Sequence, residues 1–417
     1  MTILLYNHAT GTGHHDSWTA LFAALLRERG YRVICATADP SALRVALEIQ
    51  GPGSAHAIHL MELPAVVAPP PLSRFERAVR GACRVVRGLR AGPDGSGRYH
   101  GNLIRAVDSA MKHSPWKPDF MLSMYADVWM TNPSYWRTAA DNVPIPWGGI
   151  RFIPSRKENA GREGYFRDPN FRGLCFLDEE AAARYQKRNP ERVFQALPDV
   201  ANILLPPGQS QIAGEMRRVA AGRTIVLLCG SIEGRKNVKA FCEVALMPDC
   251  DGFLFAIVGQ IHPATLSMDE KKLLKAFSES PPRNAFIRDV YFEDERDMNA
   301  VIDASDIIFA AYRNFRISSN ILGKAAGLGK PLLVSDGYVM ADRVGRYGIG
   351  LSAPEGDARL MLEKLRLLEK KAIPASKFER FTADFSAKKM GDDLGEFVEQ
   401  CLDRAPCRGE AVDRAGA

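Results

Sequence analysis

The chain has 417 residues, 46% hydrophobic and 25% charged, with a formal net charge of +6. At roughly 100–200 residues per domain these are the proportions of a soluble globular protein with two or three full cores. No apolar run reaches the ~18 residues of a membrane-spanning helix, and the eight cysteines lack CxxC pairs, which excludes a disulfide framework or a zinc site and suits a cytoplasmic protein.

Met1–Tyr6 is too short for a signal segment and reads as the start of a first strand, Ile3–Asn7. The turn Gly11-Thr12-Gly13-His14-His15-Asp16 begins like a dinucleotide fingerprint, with Asp39 near the place of a ribose-binding acid. Asp16 stands where that fingerprint needs Gly or Ala for close helix packing. The other use of Gly11 and Gly13 is to let an acceptor approach the backbone. His14, or His8, is then a base of suitable pKa at the sheet's C-terminal edge. Helix Trp18–Arg29 and strand Tyr31–Thr37 complete the opening of a doubly wound sheet.

Further strands are expected at Ala57–Leu60, Phe120–Met124, Ile145–Ile150, Gly173–Leu177 and Val193–Ala196, with helices such as Tyr99–Lys112 and Glu179–Lys187 between them. Leu72–Arg90 places Arg74, Arg77, Arg80, Arg84 and Arg87 opposite Leu72, Phe75, Val79, Ala82, Val86 and Leu89. That pattern suits a helix drawn to an anionic membrane surface, or an ordinary packed helix with a solvated face. Aromatics are not interleaved with the basic residues, so nucleic acid is not an expected partner. Asp127 follows the Phe120–Met124 strand and is either an acid/base residue facing the crevice or a helix N-cap.

Asn202–Ser210, with Pro206-Pro207-Gly208 at its core, reads as a linker. The expected division is therefore an N-terminal domain over 1–203 and a C-terminal domain over 204–385. A last helix over 386–403 is a candidate to return to the first domain, and 404–417 is a flexible tail. The second domain repeats the strand–helix alternation from Thr224–Leu228 onward, with 372–386 read as a connection. After its first strand, Gly230, Ser231 and the Arg235-Lys236 pair form a tight loop suited to phosphate oxygens. Ser318, Ser319 and Asn320 precede a helix over Ile321–Leu328, whose bare N–H groups also suit an anion. Asp249-Cys250-Asp251 spells DxD but precedes its strand, at the wrong end of the sheet for a ligand crevice.

The order strand–Gly–Arg-Lys–helix, then Asp303–Tyr312, then Ser318–Asp336 resembles the retaining GT-B glycosyltransferases. The resemblance is clearest over 224–350. It implies an α/β fold with two Rossmann-like domains facing a central cleft and a nucleotide-diphosphate sugar as co-substrate. It also implies a saccharide acceptor and use in surface polysaccharide synthesis; where Leu72–Arg90 is a membrane-surface helix, the protein is cytoplasmic and peripheral on the membrane and its acceptor is lipid-linked. No metal and no further cofactor are expected, because cations and N–H groups stabilise the leaving diphosphate. Lys236 maps onto the family's diphosphate-binding lysine. Ser231 stands where an arginine usually follows the glycine, so Arg235 substitutes for it. The family's paired glutamates align with Arg316 and Lys324, whose reversed sign suits contact with the phosphates. A nucleotide-sugar epimerase on the same fold and a non-catalytic nucleotide-binding scaffold are the alternatives.

Overall fold

The computed structural model describes residues 1–9, 15–51, 58–63, 96–136, 142–155, 161–248 and 250–404. Gly11, Gly13, His14, the Leu72–Arg90 segment, Asp249 and the tail beyond Arg404 lie outside them. The chain forms two compact units, one of Met1–Leu197 with Met390–Ala417 and one of Pro198–Lys389.

In the first unit the elements run β1 Thr2–Asn7, α1 His15–Glu28, β2 Arg32–Thr37, α2 Pro40–Gln50, β3 Ile58–Glu62, α3 Ser96–His113, β4 Phe120–Ser123, β5 Trp147–Arg151, β6 Phe171–Phe176, α4 Glu179–Arg188 and β7 Val193–Ala196. Its seven strands lie in the order β3-β2-β1-β4-β5-β6-β7, all paired in parallel. Strands buried on both faces explain the near-continuous apolar runs of the sequence. Leu4, Tyr6, Ile34 and Met121 pack with Leu103, Ala106 and Val107 of α3. The strand order reverses between β1 and β4, which places the crevice-forming edge after those two strands.

The second unit runs α5 Gln211–Ala220, β8 Thr224–Cys229, α6 Val238–Ala245, β9 Phe253–Val258, α7 Met268–Glu279, β10 Ala285–Arg288, α8 Glu295–Asp303, β11 Ile307–Ala310, α9 Asn320–Gly327, β12 Leu332–Ser335, α10 Val339–Tyr347, β13 Gly350–Ala353, α11 Ala358–Lys370 and α12 Ala375–Asp384. Its six strands take the order β10-β9-β8-β11-β12-β13, and the reversal falls between β8 and β11. The last helix, α13 Ala387–Asp403, belongs to the first unit.

Two expectations change. The 372–386 connection contains α12, because Phe378, Phe381 and Phe385 share one face and the last two pack their rings 5.1 and 6.0 Å from Tyr347. The chain divides at 197/198, ahead of the Pro-Pro-Gly stretch, because Asn299 of α8 donates to the carbonyls of Asn202 and Leu204. Among the described residues no helix is long and apolar enough to cross a membrane.

Candidate functional site

In the second unit β8 ends at a backbone crossing. Gly230 sits at φ +88° and Gly259, after β9, at φ +145°; a Cβ on Gly259 would stand 2.0 Å from the Gly230 carbonyl oxygen. Only glycine lets these two strand ends meet. The loop then folds back toward β11. Asn237, left-handed at φ +58°, donates from its side chain to Ala311 O, and the Arg313 N–H donates to Arg235 O at 2.8 Å.

That return turns Lys236 inward, where only 5% of it is exposed. Its Nζ donates to Cys229 O at 3.0 Å and to Tyr312 Oη at 2.6 Å, with the Tyr312 ring centre 4.4 Å away. It makes no ion pair among the described residues. A Cβ on Gly230 would be 3.7 Å from this ammonium, so the charge lies directly under the glycine turn. A buried cation without a counter-ion costs several kcal/mol, which an anion at the turn would recover. Arg235 pairs with Glu233 at 2.8 Å and lies over the Phe315 ring at 5.1 Å. Ser231 is exposed.

The stretch before α9 is only partly as expected. Ser319 is the N-cap and its side chain makes no capping bond. Ser318 is committed elsewhere: its Oγ donates to Asp199 Oδ2 at 2.5 Å and accepts from Arg343 Nη1 at 2.7 Å. Asn320 Oδ1 is buried and has no hydrogen-bond partner among the described residues. Arg316 is exposed.

Lys324 is tied to α8 and to the stretch entering the unit. Its Nζ donates to Asn202 O at 2.8 Å and Asn299 Oδ1 at 2.6 Å, and pairs with Glu295 at 2.7 Å. All three ammonium hydrogens are spent on the α8 side of the helix. Burial lowers its pKa, with Glu295 opposing.

At the β1/β4 edge of the first unit, His8, His15, Tyr125 and Phe152 gather. Tyr125 stacks on Phe152 at 5.1 Å and meets the edges of His15 at 4.9 Å and His8 at 6.3 Å. Burial and the neighbouring His15 lower the His8 pKa to about 4, so its ring is neutral near pH 7. Asp127 directly precedes a 3-10 turn, Val128–Thr131, and its carboxylate is spent on another stretch. Its two oxygens accept the Phe152 and Ile153 N–H groups at 3.1 and 2.9 Å, pinning the stretch after β5. Burial raises its pKa, partly offset by those bonds. Arg151, at the end of β5, is fixed by Glu163 at 2.6 Å and Tyr165 Oη at 2.7 Å. Asp39 is a capping residue, accepting the Ser41 and Ala42 N–H groups at the start of α2. Asp251 sits in the turn leading into β9, at the opposite end of that strand from Gly259.

Tyr312, Tyr125, Phe152 and Arg151 are the residues that the motif reading passed over. Each lies at, or just after, a strand's C-terminal end, and that position was the available signal.

No family model and no curated protein matches the chain. Solved structures do match along nearly its whole length. One is WaaG, a glycosyltransferase involved in lipopolysaccharide biosynthesis, with a TM-score of 0.54 and 16% identity over 97% of this chain and 99% of that one. Another is Anabaena Alr3699/HepE in complex with UDP and glucose, at 0.59 and 11% over 96% and 99%. A third is the UDP-GlcNAc 2-epimerase of Neisseria meningitidis bound to UDP-GlcNAc, at 0.55 and 15% over 96% and 100%.

Proposed function

We propose that this chain, which has the GT-B glycosyltransferase fold of two parallel-sheet α/β units, transfers a sugar from a nucleotide-diphosphate sugar to an acceptor hydroxyl. The observation that carries the reading is the buried, uncompensated ammonium of Lys236 beneath the Gly230 turn. The bond from sugar carbon to diphosphate oxygen breaks with both electrons left on the diphosphate. Lys236 offsets the charge that collects there, and Arg235 and the front of α9 supply further positive potential. The acceptor oxygen forms the new bond to the sugar and gives up its proton, for which His14 and Asp127 are the candidate bases.

The Tyr125–Phe152 face suits the apolar side of a sugar ring, which makes a saccharide or lipid-linked saccharide the acceptor class. HepE was solved with UDP and the epimerase with UDP-GlcNAc, so uridine is the first base to test. The epimerase match supports a second reading, in which the same donor crevice alters the sugar without transferring it.

Incubation with a panel of nucleotide sugars separates the readings. Nucleoside-diphosphate release that requires acceptor supports transfer, and an altered sugar on an intact nucleotide supports epimerisation. Binding without either supports a scaffold. Lys236→Met is expected to weaken diphosphate binding about 10- to 100-fold, the worth of one charge-assisted contact. Unchanged affinity in a folded variant removes the donor site from this loop.

A further inference from the structure

We propose that Tyr312 is a second donor to the diphosphate, acting through its own hydroxyl hydrogen beside Lys236. The inference rests on the donor site of the preceding section and adds a residue to it.

Tyr312 follows β11 and is 2% exposed. Its ring is held edge-on to Phe315 at 5.3 Å and its carbonyl accepts the Ser335 hydroxyl at 2.6 Å, so the phenol is fixed in place. Its oxygen takes a hydrogen from Lys236 Nζ at 2.6 Å. An ammonium has donors and no acceptor, so in this bond the phenol can only accept. The phenolic hydrogen is therefore left over, and no second partner for it exists among the described residues. Buried tyrosines ordinarily spend that hydrogen.

Lys236 also has one hydrogen left after Cys229 and Tyr312 are served. Two unspent hydrogens thus sit on neighbouring atoms at the β8/β11 reversal, spaced like two oxygens of one phosphate group. The adjacent cation polarises the phenol and makes it a stronger donor. As the sugar–oxygen bond breaks, the electron pair stays on the diphosphate and Tyr312 keeps its proton. Only the hydrogen bond strengthens, so the residue acts on turnover as well as on affinity.

The test is a double-mutant cycle in the full chain. Binding of UDP, ADP and GDP is measured by titration calorimetry for wild type, Tyr312→Phe, Lys236→Met and the double variant. For the tightest diphosphate, Tyr312→Phe is expected to lose about tenfold in affinity. A severalfold loss must persist when it is added to Lys236→Met, as a direct contact requires. Wild-type affinity in Tyr312→Phe, or no further loss in the Lys236→Met background, overturns the inference while the donor site stands. No diphosphate binding by wild type removes both. Should Tyr312→Phe melt below wild type, Tyr312→fluorotyrosine replaces it. Its more acidic hydroxyl is expected to bind the diphosphate more tightly, and an unchanged affinity overturns the inference.

Discussion

Two buried lysines in one unit have opposite surroundings, and the difference separates function from structure. Lys324 is 1% exposed and surrounded by a carboxylate and two amide oxygens. Lys236 is 5% exposed and has a carbonyl and a phenol, both neutral. Removing Lys324 leaves the partly exposed Glu295 and the Asn299 side-chain oxygen without their cation, while the Asn202 carbonyl keeps its bond from Asn299, so Lys324→Met is expected to lose about 2 kcal/mol, or roughly 4–8 °C in Tm for a unit of this size. Removing Lys236 costs two hydrogen bonds of about 1 kcal/mol each but relieves a larger desolvation penalty. Lys236→Met should therefore melt at or above wild type without ligand while losing diphosphate affinity. A clear drop in its Tm would show the lysine to be structural. Lys236 was legible in the sequence because its loop is local: strand, glycine, basic pair, helix. Lys324 was not, because Asn202 and Glu295 reach it from distant parts of the chain.

Helix α9 shows the same contrast one level up. Gly323 and Gly327 lie on one face, where a Cβ would stand 2.7 Å from Ala201 and from Ile203 respectively. The two glycines let the chain entering this unit lie flat along the helix. Asp199 reaches Ser318 from that entering stretch, and Arg343 of α10 reaches it from the other side. The Arg343 guanidinium also lies over Phe385, 4.7 Å from its ring centre and close to where the chain leaves the unit. The front of α9 is thus held by both ends of the unit's chain. Arg343→Leu keeps the volume and removes the cation. Hydrogen exchange of the amides over 318–322 is expected to quicken, and diphosphate affinity to fall severalfold with Lys236 and Tyr312 untouched. Unchanged exchange there would show that Arg343 does not hold the helix front. The helix and its stop were legible from Gly329 and Pro331. Which of Ser318, Ser319 and Asn320 caps it was not, because Asp199, which claims Ser318, lies 119 residues away.

At the scale of the molecule, the alternation of strand and helix announced two parallel sheets, but the path of the chain between them needed long-range contacts. Pro206-Pro207-Gly208 looked like the divide, yet Asn299 and Lys324 hold Asn202 inside the second unit. The first unit is closed by residues nearly two hundred positions beyond its last strand. Met390, Leu394, Phe397 and Val398 of α13 are fully buried there, while the surrounding pairs Arg29–Asp392 and Tyr31–Glu399 are exposed and worth little. Four such side chains at about 2 kcal/mol each amount to about 8 kcal/mol, comparable with the whole stability of a domain at about 5–15 kcal/mol. A chain ending at Lys389 should therefore lose the first unit and keep the second. The five tryptophans, at 18, 116, 129, 136 and 147, all belong to the first unit, so their emission reports on it alone. The truncated chain is expected to show red-shifted, solvent-exposed tryptophan emission while still binding the diphosphate through the Gly230–Lys236 loop. Native emission after truncation would mean that α13 does not hold the first unit together. Lost diphosphate binding would mean that the donor loop depends on more than the unit that contains it.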